Sequence, residues 1–324
     1  MAEIVRSKDA KAQALTLIEA GDVVAIPTET VYGLAADATN GRAVARIFEA
    51  KGRPRFNPLI AHVSSPAMAE EIAELDALSH RLVEAFWPGS LTLVLPLKKG
   101  ASIHPLVTAG LDTVAVRMPK GFGVELIAAL GRPLAAPSAN SSGRISATTA
   151  EAVEADLGRR IPLIVDGGPT PVGLESTIVK IEGDAVWLLR PGGVAAEEIE
   201  KVTGRPLSRS GKSGVVAPGM LASHYAPNAA VRLDVREVRS GEALLGFGSA
   251  EVAGAGRAKA FRNLSPSGDL REAAANLFAM LQELDMSGAA TIAVAPVPET
   301  GLGEAINDRL RRAAAPRDLV ASEQ

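Results

Sequence analysis

The sequence contains no cysteine, only four histidines and few aromatic side chains. Without cysteine the chain can form no disulfide bond, has no thiolate nucleophile and cannot bind zinc or an iron–sulfur cluster through sulfur. Four histidines also argue against a histidine-rich metal centre. Phe, Trp and Tyr make up 3% of the residues, which argues against the aromatic platforms on which proteins stack single-stranded nucleic acid.

Long apolar runs and an excess of basic charge are also missing. No apolar run approaches the roughly 20 residues that a membrane-spanning helix needs. The opening stretch MAEIVRSKDAKAQ lacks the apolar core of a secretory signal. The net charge is −3, whereas a broad nucleic-acid-binding surface needs an excess of basic residues. We therefore expect a cytoplasmic globular protein in which any anion-binding site is local.

The length of 324 residues favours two domains. Helical and strand patterns alternate over residues 1–205 and predict an α/β domain there. Residues 206–229 are rich in Gly, Pro and Ser without clear periodicity, and we interpret them as a linker. A second alternation of strands and helices predicts a smaller α/β domain over 230–324.

A cluster of positive charge precedes a short apolar run in the stretch KGRPRFNPLIAH. The dipole of the preceding helix explains a cation at Lys51 without any ligand. It explains Arg53, Arg55 and Asn57 poorly, because they lie beyond the predicted helix end. Guanidinium groups suit polyphosphate oxygens, whereas His62 taken alone is more often a satisfied core histidine.

Two other segments place polar groups at the ends of predicted strands. In PTETVYGLAAD, the side chains of Thr28, Glu29 and Thr30 either line a small polar pocket or belong to an ordinary edge turn. In APSANSSGRISATT, hydroxyls, backbone N–H groups and the following helix N-terminus make a good anion cradle. A polar loop with a helix cap is the commoner case for such a segment. The GxxxxGK(S/T) motif of a P-loop is missing.

Two more arginines are expected inside the fold. Arg117 lies within VAVRMP on the same strand face as Thr113, and a buried arginine is costly unless it is paired. Arg190 ends the strand of LLRPGG, ahead of a glycine turn. Cations and hydroxyls at strand and helix ends suit a nucleotide triphosphate together with a small acid. No Ser–His–Asp set, paired catalytic carboxylates or metal-ligand motif is recognisable.

Seven segments occur in the order seen in the YrdC/Sua5 family of threonylcarbamoyl-AMP synthases and resemble that family: PTETVYGLAAD, KGRPRFNPL, WPGSLTLVL, VAVRMP, APSANSSG, DGGPTPVGLESTIV and LLRPG. The resemblance extends from about Lys8 to Gly204. The stretches APGMLASHYAP and GLGEAINDRLRRA resemble the linker and tail of the longer, two-domain Sua5 form. The resemblance implies a twisted mixed sheet with a large concave cavity, followed by a smaller Rossmann-like α/β domain.

The resemblance implies a nucleotidyltransferase reaction. L-threonine, bicarbonate or CO2, and ATP would give L-threonylcarbamoyl-adenylate and pyrophosphate. The product would serve the t6A modification of adenosine 37 in tRNA, with the transfer made by downstream proteins; direct tRNA binding is left open. No residue is expected to form a metal site, because Mg²⁺ would arrive with the ATP phosphates.

The resemblance also assigns substrate-binding residues. Lys51 and Arg53 would be the catalytic cations, with Lys51 facing the phosphates. The L-threonine site would comprise Thr30, His62, Arg117, the backbone of Ala136, and Ser176. The ATP site would comprise Arg53, Asn57, Thr113, Ser138, Ser146, Arg190 and Tyr225. Tyr225 lies in the linker, which is the candidate active-site lid.

Two alternative functions are considered. One is a non-catalytic RNA-binding module, which the negative net charge and the shortage of aromatic residues disfavour. The other is a carbamoyl-adenylate-forming domain like that of hydrogenase-maturation proteins, which also carry Cys-rich zinc motifs that this chain lacks. The Thr30, His62 and Ser176 set favours threonine as the acceptor.

Overall fold

The structure is a computed structural model that describes residues 1–183, 185–209, 223–249 and 251–316. The chain divides into two compact units. Unit 1 comprises Met1–Ser142 and Ser146–Met220, and unit 2 comprises Gly143–Ile145 and Leu221–Gln324. Most of the predicted linker lies outside the described residues. The domain limits at residues 205 and 230, and the lid over 206–229, therefore stay predictions.

Within the described part of the chain, unit 1 contains eleven strands. They are β1 (Glu3–Arg6), β2 (Val24–Ile26), β3 (Gly33–Asp37), β4 (Ile60–His62), β5 (Leu91–Pro96), β6 (Thr113–Arg117), β7 (Leu134–Ala135), β8 (Leu163–Asp166), β9 (Thr177–Glu182), β10 (Ala185–Arg190) and β11 (Ser208–Arg209). They form one sheet in the order β1-β8-β2-β3-β7-β4-β6-β5-β9-β10-β11. Strand β4 runs parallel to β6 and antiparallel to β7. The predicted mixed sheet is confirmed, and the concave cavity stays a prediction.

The helices of unit 1 connect these strands. They are α1 (Ser7–Glu19), α2 (Gly41–Lys51), α3 (Pro66–Ile72), α4 (Ala77–Phe86), α5 (Pro105–Thr108), α6 (Phe122–Leu130), α7 (Ala150–Leu157) and α8 (Ala196–Thr203). The main core lies between helices and sheet and includes the fully buried side chains of Leu34, Ile47, Leu91 and Val116. The sheet therefore gives unit 1 a rigid frame on which loops at strand ends can hold polar groups.

Helix α2 is sharply bounded, and its end leads into the basic segment. The side-chain oxygen of Asn40 accepts hydrogen bonds from two backbone N–H groups of the first turn, over 3.1 and 3.3 Å. The helix stops at Gly52, whose φ of 58° is left-handed and favours glycine. Val44, Ile47 and Phe48 form its buried face, as the sequence periodicity predicts.

Strand β3 was not predicted from the sequence. Residues Gly33–Asp37 form an antiparallel strand between β2 and β7, and all five are buried. Gly, Ala and Asp have low intrinsic preference for strands. Pairing with two neighbours and burial on both faces override that preference here.

Unit 2 has a separate, smaller sheet. Its described strands are β12 (Ala230–Arg232), β13 (Ala243–Gly246), β14 (Phe261–Asn263) and β15 (Thr291–Val294), and its helices are α9 (Leu270–Met286) and α10 (Leu302–Ala314). The strands lie in the order β12-β15-β13-β14, and every neighbouring pair is parallel. The predicted Rossmann-like unit is confirmed. No helix among the described residues is long and apolar enough to span a membrane.

The cap of α2 can be tested by substitution. We expect Asn40→Ala to lower the free energy of unfolding by about 1 kcal/mol, because two N–H groups lose their acceptor. Urea denaturation of the variant and the wild type measures this difference. Asn40→Ser retains a capping oxygen and should recover most of the loss; equal destabilisation by both variants would contradict the capping role.

Candidate active site

A buried ion pair joins the PTET loop to the end of β6. Arg117 is 4% exposed and Glu29 is 9% exposed. Nη2 of Arg117 donates to Oε1 of Glu29 over 2.7 Å, and Nε donates to the carbonyl oxygen of Gly89 over 3.0 Å. Oε2 of Glu29 accepts a hydrogen bond from the backbone N–H of Lys120 over 3.0 Å. The arginine that the sequence places inside the fold therefore has the partner that its burial requires.

The charge states of this pair and of the neighbouring histidine follow from their surroundings. Burial raises the pKa of Glu29, but the charge of Arg117 and hydrogen bonds from Lys120 and Arg117 bring the pKa below its ordinary value. His62 lies opposite Arg117 in the β4–β6 register. Burial, reinforced by the charge of Arg117, lowers the pKa of His62 to about 3. His62 is therefore neutral near pH 7.

The hydrogen bonding of His62 orients its ring. Nδ1 lies 3.3 Å from the carbonyl oxygen of Ile60. A carbonyl oxygen can only accept, so the neutral ring carries its proton on Nδ1 and offers Nε2 as an acceptor.

A cluster of two hydroxyl groups, those of Ser176 and Thr92, lies at the start of β9. The hydroxyl oxygens of Ser176 and Thr92 lie 2.7 Å apart. Arg190, at the end of β10, donates from Nε and Nη2 to the carbonyl oxygen of Ser176 over 3.2 and 2.8 Å. Nη2 also donates to the hydroxyl of Ser176 over 3.3 Å. Arg190, predicted for the ATP site, thus contacts Ser176, which was predicted for the threonine site.

Ser90 connects this cluster to the Glu29–Arg117 pair. Its hydroxyl donates to Oε1 of Glu29 over 3.3 Å, and its carbonyl oxygen accepts from the backbone N–H of Thr177 over 2.9 Å. Thr30 belongs to the same loop as Glu29, and its hydroxyl lies 2.8 Å from that of Thr28. Thr30, His62, Arg117 and Ser176 are therefore linked through neighbouring residues and contacts, and their common role in binding threonine stays a prediction.

Residues 136–142, which follow β7, are called the hydroxyl-rich loop, and Lys51 is hydrogen-bonded to this loop. Nζ donates to the carbonyl oxygen of Ser138 over 2.6 Å and to that of Asn140. The side chain is 2% exposed. Burial, followed by the charge of Arg53, holds the pKa of Lys51 well below its ordinary value. The prediction that Lys51 faces phosphate remains a prediction, and the structure adds that its amine ties α2 to this loop.

Arg53 and Asn57 form a small loop after α2. Arg53 is 8% exposed and donates from Nε to the carbonyl oxygen of Asn57 over 3.2 Å and from Nη2 to that of Pro58 over 2.8 Å. Asn57 is fully buried, yet neither Nδ2 nor Oδ1 of its amide has a hydrogen-bond partner among the described residues. Most buried amides are bonded, so this amide is an exception, and its role at the nucleotide stays a prediction.

The remaining predicted residues of unit 1 lie on neighbouring elements. The hydroxyl of Ser146 donates to Oε1 of Glu175, and the backbone N–H of Ala136 donates to the carbonyl oxygen of Ile60 over 3.2 Å. Ser138 forms an isolated antiparallel β-bridge with Gly33. Thr113 begins β6, the strand that ends at Arg117.

Tyr225 lies in the other unit. Its ring is 1% exposed, 5.5 Å from the ring of Phe278 and under the guanidinium of Arg309 at 4.9 Å. Its φ of 62° is left-handed. The role of Tyr225 at the nucleotide stays a prediction.

Two buried carboxylates have roles that the sequence did not assign. Glu29 was one of three polar residues proposed for a pocket, but not the partner of Arg117. Glu175, 7% exposed, accepts from Ser146. The requirement that a buried arginine be paired predicted that some acid would be present, and only the three-dimensional structure identifies which one. Among the described residues, no group of three or more His, Asp or Glu side chains could hold a metal ion.

Comparison with known sequences identifies the family. A profile described as "Telomere recombination", which groups Sua5, YciO and YrdC proteins, matches residues 16–192. A second profile, described as "Threonylcarbamoyl-AMP synthase, C-terminal domain", matches residues 194–315. The chain belongs to the Sua5/YrdC family. Because both profiles match, it is of the two-domain Sua5 form.

Relatives of this family match over nearly the whole chain. The threonylcarbamoyl-AMP synthase of Bacillus subtilis is 42% identical over 323 residues, covering 94% of this chain and 93% of the relative. That of Pyrococcus abyssi is 44% identical over 314 residues, covering 91% of each chain. The crystal structure of P. abyssi Sua5 complexed with L-threonine superimposes with a TM-score of 0.86 at 40% identity, covering 97% of each chain.

The Glu29–Arg117 pair predicts a pH-dependent stability. Since the pKa of Glu29 in the folded protein lies below its unfolded value, its contribution is full above the ordinary glutamate pKa and is lost as pH falls through the folded pKa. We expect Glu29→Gln to lose about 3–5 kcal/mol near pH 7, because Arg117 stays buried without its counter-charge.

Urea unfolding of wild type and variant at a series of pH values measures this difference, which should shrink below about pH 4. Glu125→Gln removes an exposed carboxylate that lies 3.5 Å from Lys11 and serves as the control, with an expected change below about 1 kcal/mol. A Glu29→Gln effect that is small at neutral pH, or constant with pH, would show that the pair does not stabilise the fold.

Proposed function

We propose that this protein is an L-threonylcarbamoyl-adenylate synthase that converts L-threonine, bicarbonate or CO2, and MgATP to threonylcarbamoyl-AMP and pyrophosphate. The observation that carries the proposal is the set of buried basic side chains in unit 1. Four of them in its described part are less than 9% exposed, namely Lys51, Arg53, Arg117 and Arg190. Buried guanidinium groups at strand and helix ends suit the carboxylate and phosphate oxygens of two anionic substrates.

The nucleotide half of the site is formed by the segments around α2 and the hydroxyl-rich loop. Arg53 and Arg190 supply charge for the polyphosphate, and Lys51 holds the loop that carries Ser138. The unbonded amide of Asn57 offers one donor and one acceptor to the nucleotide. Ser146 and Thr113 add hydroxyls. Mg²⁺ enters as part of the substrate, coordinated by phosphate oxygens.

The threonine half of the site is formed around Arg117. Its bonds to Glu29 and Gly89 use Nη2 and Nε, so Nη1 is directed to the substrate carboxylate. The Nε2 acceptor of His62 and the hydroxyls of Thr30 and Ser176 serve the amine and hydroxyl of threonine. The crystal structure of the P. abyssi relative in complex with L-threonine supports threonine as a ligand.

The reaction joins two species that repel each other. The amine of threonine attacks the carbon of CO2 and loses a proton, which gives an N-carboxylate. A carboxylate oxygen then attacks the α-phosphorus of ATP, and the bond to the bridging oxygen breaks as pyrophosphate leaves. Fixed cations on both sides reduce the repulsion and stabilise the charge on the leaving group. Binding both substrates in one site makes the second step effectively unimolecular.

The wider role follows from the product. Threonylcarbamoyl-AMP is a reactive mixed anhydride, so a cytoplasmic tRNA-modifying system must take it up for t6A37. The linker at 206–229 is the proposed lid that protects the carbamate from water. The names of the curated relatives favour this function over RNA binding or carbamoyl-adenylate formation.

The activity can be tested by pyrophosphate release from MgATP. We expect release only when L-threonine and bicarbonate are both present, because the N-carboxylate is the nucleophile. Mass spectrometry of the product should show threonylcarbamoyl-AMP. Equal pyrophosphate release without threonine, or none under any condition, would refute the proposal.

The amide of Asn57 provides a second test. Asn57→Ala should raise KM for ATP about tenfold, the effect of losing one or two hydrogen bonds to a ligand. The melting temperature should not fall, because no described residue bonds to this amide. Steady-state kinetics and thermal unfolding are measured on the same preparation. A large fall in melting temperature with unchanged KM would mean that Asn57 serves the fold instead.

A further inference from the structure

The hydroxyl-rich loop is held on its outer side by helix α7 and the residues just after it. The backbone N–H of Ser141 donates to Oδ2 of Asp156 over 2.6 Å, and its hydroxyl donates to Oδ1 of the same carboxylate. Nη2 of Arg160 donates to the hydroxyl oxygen of Ser141 over 2.6 Å and to Oδ1 of Asp156 over 2.9 Å. One acid and one base therefore fix both polar groups of a single serine.

The same guanidinium also holds the end of α2. Nη1 of Arg160 donates to the carbonyl oxygen of Ala50 over 2.6 Å. This carbonyl lies in the last turn of α2, where helix carbonyls have no intrahelical partner. The backbone adds a parallel link, since the N–H of Ser142 donates to the carbonyl oxygen of Lys51 over 2.8 Å. Arg160 thus bridges the segment that leads to Arg53 and the loop that carries Ser138.

The energetics point to a geometric role for this bridge. The side chains of Asp156 and Arg160 are 27% and 40% exposed, and an exposed i,i+4 ion pair contributes only about 0.5 kcal/mol to stability. The main consequence of this bridge is therefore that it orders five hydrogen-bonding groups, which come from the end of α2, from the hydroxyl-rich loop and from the region of α7. Arg159, the adjacent residue, has none of these contacts and offers a matched comparison.

We propose that Asp156 and Arg160 are positioning residues for nucleotide binding, acting through Ser141 and Ala50 to keep the hydroxyl-rich loop in register with the end of α2. Neither is assigned to touch substrate. Lys51 ties the two segments together from the inner side, and Asp156 and Arg160 tie them from the outer side. The inference rests on the proposed function, because it assigns ATP to the groups that these two segments carry.

The test compares Arg160→Ala and Asp156→Ala with their neighbours Arg159→Ala and Glu154→Ala. Each control removes the same charge from the same part of the chain without removing a bond to the loop. We expect the first two variants to raise KM for ATP and the dissociation constant of a non-hydrolysable ATP analogue about tenfold, as for a displaced binding group. KM for threonine should change less than about twofold, since the Arg117 half is untouched. The controls should match the wild type.

The double variant sharpens the test. Because both residues act through Ser141, Asp156→Ala with Arg160→Ala should be no worse than the more severe single variant. The proposal is overturned if Arg160→Ala behaves as Arg159→Ala does, or if KM rises equally for ATP and threonine together with a fall in melting temperature.

Binding of the ATP analogue separates this proposal from the assigned reaction. A wild type that binds the analogue but forms no threonylcarbamoyl-AMP refutes the reaction alone, and the Arg160 comparison still decides the positioning role. A wild type that does not bind the analogue refutes both.

Discussion

The organisation of unit 1 depends on keeping positive charge buried. Lys51, Arg53 and Arg190 are each oriented by backbone carbonyl oxygens. A carbonyl dipole holds a cation in place without cancelling its charge, whereas a carboxylate does both. At Arg117 the acceptor of Nη2 is instead a carboxylate, that of Glu29. These carbonyl contacts thus fix the direction of the three basic groups.

This arrangement explains why the residues involved come from so many segments. The carbonyl oxygens that orient Lys51 and Arg190 come from other chain segments, whereas those that orient Arg53 belong to its own loop. Preorganised charge of this kind requires no rearrangement as negative charge develops, which is the condition for electrostatic catalysis. The hydrogen bonds that join segments of unit 1 are therefore the same ones that orient the basic groups of the site.

Much of the site was predictable from residue type and position. The basic stretch after α2 and the two arginines at strand ends were identified because charge next to apolar strands needs an explanation. The mixed sheet was implied by the family resemblance, and the second α/β unit was predicted from its alternating pattern. Strand β3 was missed because its small residues carry little strand preference, and pairing partners decide such a case.

The specific partners could not be predicted, for a physical reason. That Arg117 must be paired follows from the cost of a buried charge, but the choice of Glu29 depends on a strand end and a loop 88 residues apart. The bonds of Lys51 to Ser138 and Asn140 are likewise long-range in sequence. The sequence alone indicates that a buried charge needs a partner, and the three-dimensional structure identifies which residue that partner is.

The neutral histidine at the end of β4 has a consequence for substrate fidelity. With Nδ1 bonded to the carbonyl oxygen of Ile60, the ring offers Nε2 as an acceptor, and in the proposed threonine site it acts together with the hydroxyls of Thr30 and Ser176. Valine has the shape of threonine but no hydroxyl, so it would leave such groups without partners, and discrimination of this kind reaches roughly 10⁴-fold. Serine keeps the hydroxyl and lacks only a methyl group, for which hydrophobic contacts discriminate by roughly 10- to 200-fold. On the proposed assignment of this site, serine is therefore the competing amino acid that it would reject least well.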